Sequence, residues 1–283
     1  MSTIFHDVGF VHLHVHSSFS LLEGALPIAR LAELVKADAM PALALTDTNN
    51  LFGALEFSEK LAEKGIQPII GLQLTVDFGD HHAAPGRPHA QREGRGKLVL
   101  LAMDEHGYRN LMRLTSVGFM ESDSSDEPHV MLDRLPGLSD GLIALTGGPD
   151  GPLDKLLAGS RDELAEQRLQ ALKKAFPSRL YVEVQRHGTG RERAVEPRLL
   201  ALAYANGLPL VATNEPFFAG KKDHEAHDAL VAIAEGRLVS DDDRRKVSTE
   251  HGFKTRAEMQ ELFRDLPEAV QNTVEIAMRC SYR

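Results

Sequence analysis

The stretch Val11-His12-Leu13-His14-Val15-His16, near the start of the chain, sets the expectations for both fold and function. Its apolar and β-branched residues predict a first β-strand over residues 11–15. Side chains two positions apart on a strand point to the same face, so we expect His12, His14 and His16 side by side. Neutral imidazoles arranged in this way can ligate Zn²⁺ or a similar ion. The alternative, hydrogen-bonded structural histidines, stays open, because a His-x-His pair alone does not distinguish the two.

Beyond this stretch, short apolar runs alternate with amphipathic helical runs. The strand-like runs are residues 11–15, 42–45, 68–76, 97–102, 142–145, 180–184 and 208–212. The helical runs between them are residues 28–36, 55–63, 108–117, 161–175 and 191–206. Alternating βα units imply a parallel sheet with helices outside it. Seven such units in one chain favour a closed α/β barrel over an open sheet.

The part of the chain after the last predicted strand reads differently. Helical patterns cover residues 223–235, 256–263 and 268–279 with no strand between them. We therefore predict two parts: an α/β barrel over residues 1–222 and a helical segment over residues 223–283 that leads toward a further domain. Two segments rich in polar residues and glycine or serine, 79–96 and 120–129, are predicted to be surface loops.

Composition narrows the function classes. The chain has 283 residues, a net charge of −9 and one cysteine, Cys280. It contains no run of about 18 apolar residues and no secretory signal, so we expect no membrane association and a reducing, cytoplasmic setting. An acidic chain is a poor candidate for binding DNA by itself, since phosphate contacts need a basic surface. The short basic runs 173–174 and 244–246 are interpreted as solvated faces.

Polar residues cluster where several predicted strands end. In a parallel barrel these ends share one rim, which is where functional side chains lie. Carboxylates such as Glu23, Asp47 and Glu215 are candidates to complete a metal site with His14 and His16. A divalent ion held there would lower the pKa of bound water and so favour phosphoester hydrolysis. Loop capping by Asp47 and a turn at Glu215 are the alternative interpretations.

Taken together, several motifs resemble the PHP (polymerase and histidinol phosphatase) domain, most closely the form found in bacterial DNA polymerase III alpha subunits. The similarity covers nearly the whole chain, in order. It is carried by residues 10–24, 40–47, 65–71, 107–111, 210–214, 267–269 and 272–277. The resemblance implies a distorted (β/α)7 barrel with a C-terminal helical segment, and a trinuclear metal site in the metal-binding members.

The ligand positions implied by this resemblance are only partly kept. His14 and His16 fall on the first two positions, Glu23 stands where many members have Asp, and Glu215 replaces Asp. Residues that do not match the family's ligands stand at five further positions: Thr48, Gln73, Lys97, Gly148 and Phe217. Glycine and phenylalanine offer no side-chain donor atom, and a charged lysine repels a metal at close range.

We therefore predict a vestigial site made of His14, His16, Glu23, Asp47, Lys97 and Glu215, with no catalytic residue and no cofactor. Any metal would be a single weakly bound divalent ion on His14, His16, Glu23 and Glu215. Lys97 is expected to pair with Glu23 or Glu215 and to replace the charge of the metal.

The resemblance also implies a role. The chain would be the N-terminal PHP domain of a polymerase, a non-catalytic module that packs on the polymerase core of the same chain and docks a proofreading exonuclease subunit. Mg²⁺ and DNA would be bound by the full protein only. Two enzymatic alternatives stay open: a metal-dependent phosphoesterase or 3′–5′ proofreading nuclease, and a stand-alone enzyme similar to histidinol phosphatase.

Overall fold

The strands form where the sequence carries short runs of apolar and β-branched residues, which suit a buried pleated surface. The computed structural model describes residues 8–80 and 94–282. Within them one seven-stranded sheet is built from β1 Ala42–Leu45, β2 Gln67–Asp77, β3 Arg95–Ala102, β4 Val130–Met131, β5 Leu142–Leu145, β6 Leu180–Gln185 and β7 Leu210–Thr213.

The helices form on the amphipathic runs, and several begin at a capping residue. The described helices are α1 Ile28–Ala37, α2 Ala54–Glu63, α3 Glu105–Glu121, α4 Asp154–Ala158, α5 Asp162–Ala175, α6 Gly190–Ala205, α7 His224–Ala234, α8 Arg256–Leu262 and α9 Pro267–Arg279. Asp104 caps α3 by accepting a hydrogen bond from the Gly107 backbone N–H. Thr189 and Glu192 form a capping box at the start of α6.

Strand order in the sheet is β1-β2-β3-β5-β6-β7, with the short β4 paired to β2. The pairs β1/β2, β5/β6, β6/β7 and β2/β4 are parallel, whereas β3 runs antiparallel to both β2 and β5. The expectation of an all-parallel sheet is therefore wrong for β3. The reason is that a strand buried on both faces, such as β2, has the same hydrophobic pattern whichever way its neighbour runs.

The first predicted strand is not a regular one. The backbone of residues 10–16 belongs to no regular strand and bends at His14. It lies along β1, where the Ala44 N–H donates to the His12 carbonyl and the Thr46 N–H donates to the Val15 carbonyl, both at 2.9 Å. It also approaches the end of β7, since the His16 N–H donates to the carbonyl of Pro216.

The bend at His14 breaks the alternation of side chains. The ring of His12 packs edge-on against Phe10 and beside Phe253, and its Nε2–H donates to the Lys254 carbonyl. His12 therefore lies apart from the contacts of His14 and His16, and the prediction of three histidines on one face is wrong for this residue.

The interior of the curled sheet is filled by apolar side chains from every part of the wall. They include Val11, Leu13, Ala44, Ile69, Val99, Leu101, Ile143, Leu145, Tyr181 and Val211. A second, larger apolar layer lies between the sheet and the surrounding helices. The predicted distorted α/β barrel with a C-terminal helical segment is thus confirmed.

The C-terminal helices contact the barrel directly. Thr273 of α9 accepts a hydrogen bond from the Val11 N–H at 3.0 Å, and the Gln67 side chain donates to the Ala277 carbonyl at 2.9 Å. The division into residues 1–222 and 223–283 stays a prediction. Residues 81–93 of the predicted 79–96 loop lie outside the described residues, and Arg95 and Gly96 already belong to β3. No helix in the described ranges combines the length and the apolar character that a membrane span needs.

Candidate functional site

His14 is held from one side by a carboxylate in the barrel wall. Its Nδ1–H donates to Glu183 Oε1 at 2.7 Å, and both side chains are fully buried. Glu183 also accepts hydrogen bonds from Thr213, the Gly147 N–H and Gln185. Burial alone would raise the pKa of Glu183, but His14 and these hydrogen bonds lower it below its ordinary value. An ionised carboxylate behind a histidine fixes the ring and leaves Nε2 facing the site.

The side-chain amide of Gln73 meets that nitrogen. Its Nε2 lies 2.9 Å from His14 Nε2 and 3.0 Å from Glu215 Oε1. An amide nitrogen carries two hydrogens and accepts none, so one N–H is available to each of these acceptors. Gln73 therefore satisfies two potential metal-ligand atoms with hydrogen bonds, in a place where a cation would bridge them.

His16 completes the group on the β7 side. Its Nε2 lies 3.2 Å from Glu215 Oε1, and its Nδ1 lies 2.9 Å from Ser20 Oγ. Phe217 stacks on the ring with centroids 4.8 Å apart and planes 14° apart. Burial would raise the pKa of Glu215, but His14, His16 and Lys97 hold it well below its ordinary value.

Glu23 faces cations. Its carboxylate accepts a 2.5 Å hydrogen bond from Thr48 Oγ1 and lies 3.5 Å from Lys97 Nζ and 3.6 Å from an Arg245 guanidinium nitrogen. Burial opposes ionisation, yet Lys97, His16, Thr48 and Arg245 together lower the pKa of Glu23 to about 2. Burial likewise opposes the charge of Lys97, but Glu23 and Asp150 raise its pKa above the ordinary value. The predicted pairing of Lys97 with a site carboxylate is present, and its partner is Glu23.

Asp47 serves the loop beside the site. Its carboxylate accepts hydrogen bonds from the backbone N–H and the hydroxyl of Ser17, both at 2.7 Å, and from the Ser20 hydroxyl at 2.6 Å. Ser20 in turn contacts His16. Asp47 therefore organises the turn that carries His16, and it acts on the candidate ligands through that turn.

Gly148 stands at a position where a larger side chain would be strained and would have to displace a neighbour. Its φ of 58° lies in the left-handed region, and a Cβ built there would come within 2.5 Å of the Gln185 carboxamide. Gln185 occupies this space while donating to Glu183 Oε1. A cysteine ligand at position 148 would therefore displace Gln185, which is part of the support of Glu183.

The residues present do not fit a trinuclear centre. Across residues 8–80 and 94–282, one group of at least three potential ligands lies close enough to share an ion: His14, His16 and Glu215, whose ligand atoms lie within 4.8 Å of one another. Gln73 is hydrogen-bonded to two of the three. Glu23, the fourth predicted ligand, is neutralised by Lys97 and Arg245. The donor set thus allows one ion at most, and only after Gln73 has moved.

Sequence reasoning missed part of this arrangement. Glu183 was visible as an acidic residue within a strand, but nothing in the local pattern connects it with His14, 169 residues away. The basic run 244–246 predicts a solvated face, whereas the guanidinium of Arg245 lies near Glu23 and 5.7 Å from the centroid of the Phe217 ring. Its run follows α7, whose His227 donates to the Glu23 carbonyl.

The comparison with protein families supports the resemblance noted above. The family model for the PHP domain matches residues 12–187, which is more than half of the chain. This chain belongs to the PHP domain family. The match begins at His12 and includes the segment that bends at His14.

Relatives of this PHP chain are DNA polymerase III alpha subunits. The subunit of Caulobacter vibrioides is 44% identical over 275 residues, which cover 97% of this chain and 24% of the relative. That of Pseudomonas aeruginosa is 39% identical over 278 residues, covering 97% of this chain and 23% of the relative. The chain therefore spans about a quarter of the length of these relatives.

Among solved structures, an amidohydrolase from Chromobacterium violaceum with bound sulfate and no metal aligns with a TM-score of 0.45 and 16% identity. The alignment covers 72% of this chain and 86% of that one. This similarity is below the level from which a shared fold follows.

Proposed function

We propose that this chain is the N-terminal PHP domain of a replicative polymerase alpha subunit and that the domain is a non-catalytic structural and docking module. The observation that carries the proposal is the position of Gln73. Its amide nitrogen donates to His14 and Glu215, so the two strongest candidate ligands are already satisfied without a metal.

The charge balance of the site supports the same proposal. The carboxylate of Glu23 is compensated by the ammonium of Lys97 and the guanidinium of Arg245. The carboxylate of Glu183 accepts hydrogen bonds from the Nδ1–H of His14 and from the Gly147 N–H of the wall. A site whose carboxylates are already paired with the chain's own cations and donors gains little from a divalent ion, which would have to displace them.

The wider protein is proposed from the relatives. It would carry out DNA-directed DNA synthesis in the cytoplasm, using Mg²⁺, deoxynucleoside triphosphates and a primed template at a polymerase core on the same chain. DNA would be bound through that full protein. A proofreading exonuclease subunit is the partner proposed for the PHP domain.

Metal analysis tests the non-catalytic role. We expect protein purified without chelators to contain much less than one equivalent of Zn²⁺, Mn²⁺ or iron, and its melting temperature to be unchanged by added Mn²⁺. Gln73→Glu should melt lower, because it places a carboxylate against Glu215, and should recover on addition of Mn²⁺.

Gln271→Glu on the exposed face of α9 is the matched control. Its melting temperature should equal that of the unaltered protein, both without and with added Mn²⁺. Stoichiometric, tightly bound metal in the unaltered protein would refute the proposal.

The docking role needs a separate test. The chain and the proofreading exonuclease subunit of the same organism should form a complex at micromolar concentration in a pull-down or by size-exclusion chromatography. Failure to form a complex, with both proteins folded, would count against docking without affecting the metal argument.

A second candidate function is a metal-dependent phosphoesterase or 3′–5′ nuclease. The cluster of His14, His16 and Glu215 favours it, as does the Glu183 carboxylate behind His14, an arrangement common behind metal-bound histidines. Glu23 and Asp47 would assist. Release of nucleotides from a 3′-mismatched primer with added Mn²⁺ or Zn²⁺, abolished by His14→Ala, would establish this function in place of the first.

A further inference from the structure

Helix α3 carries a second apolar stripe, on the side that faces away from the sheet. Its inner face is buried through Gly107, Leu111, Leu114 and other residues. On the outer face, positions 109, 112, 113, 116, 119 and 120 follow helical spacing and are all exposed.

The outer stripe is rich in large apolar side chains. Met120 is 85% exposed, Phe119 52% and Met112 41%. Single exposed apolar residues are ordinary on protein surfaces, whereas several on one helix face raise the apolar share of that face, and larger apolar patches mark interaction sites. Methionine adapts its shape to different partners, which suits a binding surface.

A groove runs beside this stripe. Its second wall is Leu138, which follows the 3₁₀ helix Leu132–Gly137. The groove has a volume of about 460 Å³ and is lined by Arg109, Met112, Arg113, Ser116, Val117 and Leu138. It is a shallow, mostly apolar groove that is open to solvent, and two arginines contribute to its lining.

The two arginines differ in their partners. Arg109 pairs with Glu105 one helical turn earlier, at 2.5 Å. Arg113 makes no ion pair or side-chain hydrogen bond within residues 8–80 and 94–282. Arg113 is thus an uncompensated positive charge beside an apolar groove, on a chain with a net charge of −9. It offers a carboxylate a charge-assisted hydrogen bond next to an apolar contact.

We propose that the α3 groove binds an amphipathic acidic segment of a partner protein. The apolar face of the segment would lie on Met112, Val117 and Leu138, and a carboxylate beside it would pair with Arg113. This is recognition of a helix in a groove, in which apolar anchors give affinity and the flanking charge gives specificity. The groove is distinct from the His14 site, so this inference does not depend on the absence of a metal or on the exonuclease.

Two synthetic peptides test the inference by fluorescence polarisation. One is a labelled amphipathic helix with leucines on one face and glutamates beside them, and its twin carries lysine at every glutamate position. The acidic peptide should bind the unaltered chain at least about tenfold more tightly than its twin, and added salt should reduce the difference.

Variants of exposed residues then locate the site. Arg113→Glu should weaken binding of the acidic peptide about tenfold, since it replaces attraction by repulsion, and Met112→Ser should weaken it several-fold. Arg237→Glu and Met278→Ser alter exposed residues outside the groove and are the matched controls, which should leave binding unchanged. Far-ultraviolet circular dichroism and melting curves of every variant confirm that it is folded.

Three outcomes would overturn the inference: equal binding of the two peptides, binding that Arg113→Glu leaves intact, or an equal effect of the control variants. A labelled single-stranded oligonucleotide is tested in parallel. If it binds at the groove more tightly than the acidic peptide, loses binding in Arg113→Glu and is unaffected by Met112→Ser, the groove is a phosphate-binding surface and the inference of a protein partner is wrong.

Discussion

Removing the positive charge of Lys97 should destabilise the PHP domain, because this side chain compensates the carboxylate of Glu23. Lys97→Met keeps most of the volume of the side chain and deletes the ammonium. We expect a loss of about 2 kcal/mol in the free energy of unfolding near pH 7.

The magnitude follows from two bounds. Two unit charges 3.5 Å apart, the distance between Lys97 Nζ and Glu23 Oε1, attract by about 5 kcal/mol at an effective dielectric constant of about 20. Lowering the pKa of Glu23 from 4.5 to about 2 corresponds to about 3 kcal/mol, shared among all the groups that favour its ionised form. Arg245 and Thr48 remain in the variant, and methionine has no ammonium to bury, so the net loss lies below both bounds.

The pH dependence of the loss identifies its cause. A carboxyl group with a lowered pKa stabilises the fold fully above its unfolded pKa, and this contribution disappears as the pH falls through the folded value. In Lys97→Met the pKa of Glu23 should move back toward 4.5. The difference between variant and unaltered protein should therefore be full above about pH 4.5 and should shrink as the pH falls toward 2.

Urea unfolding followed by circular dichroism, near pH 7 and near pH 3, measures both quantities. Lys155→Met is the control, since no ion pair in the described ranges includes Lys155 and burial lowers its pKa. Removing its charge should therefore cause no loss of stability. A loss below about 0.5 kcal/mol for Lys97→Met, or an equal loss at both pH values, would refute the role given to Lys97.

Three further substitutions test other parts of the structure. Gly148→Ala should cost about 2 kcal/mol in urea unfolding, because alanine at a φ of 58° is strained and its Cβ would overlap Gln185; a neutral result would contradict the geometry. His251→Phe should make the free energy of unfolding less dependent on pH in the acid range, since burial and the nearby His187 lower the pKa of His251 to about 3. The contribution of neutral His251 to the free energy of unfolding is full above about pH 6.5 and falls by about 2 kcal/mol by pH 5. A variant that loses stability as steeply as the unaltered protein over this range would disprove the role of His251. Arg168→Met should cost about 3 kcal/mol, because a buried guanidinium that holds the Asp80 carboxylate at 2.6 and 2.7 Å is lost, and unchanged thermal melting would exclude this role.

Much of the barrel could be predicted from the sequence, because its elements have strong and separate patterns. The bounds of β1 and β5 match the predicted runs, and the helices beside them agree to within a few residues. The direction of β3 could not be predicted, since a strand buried on both faces carries no pattern that distinguishes parallel from antiparallel neighbours. The bend at His14 also escaped prediction, because an alternating pattern is compatible with an extended backbone that leaves the ladder.

The candidate site was predictable in composition and only partly in geometry. Positions alone indicated that His14, His16 and Glu215 meet. The part played by Gln73 depends on where its amide nitrogen lies, to within a few tenths of an ångström, and the support from Glu183 depends on a contact across the barrel. Such long-range contacts are set by tertiary packing and have no local signature.

The amide of Gln73 has a consequence for the history of the molecule. The amide of Gln73 bridges His14 and Glu215, and Gln185 fills the space beside Gly148. A substitution at one of these positions therefore affects the contacts of its neighbours. A metal ligand introduced at position 73 or 148 alone would then meet a neighbour that is arranged around the present residue. Under the proposed non-catalytic role, a metal centre could therefore arise here only through several coordinated substitutions, none of which is favourable by itself.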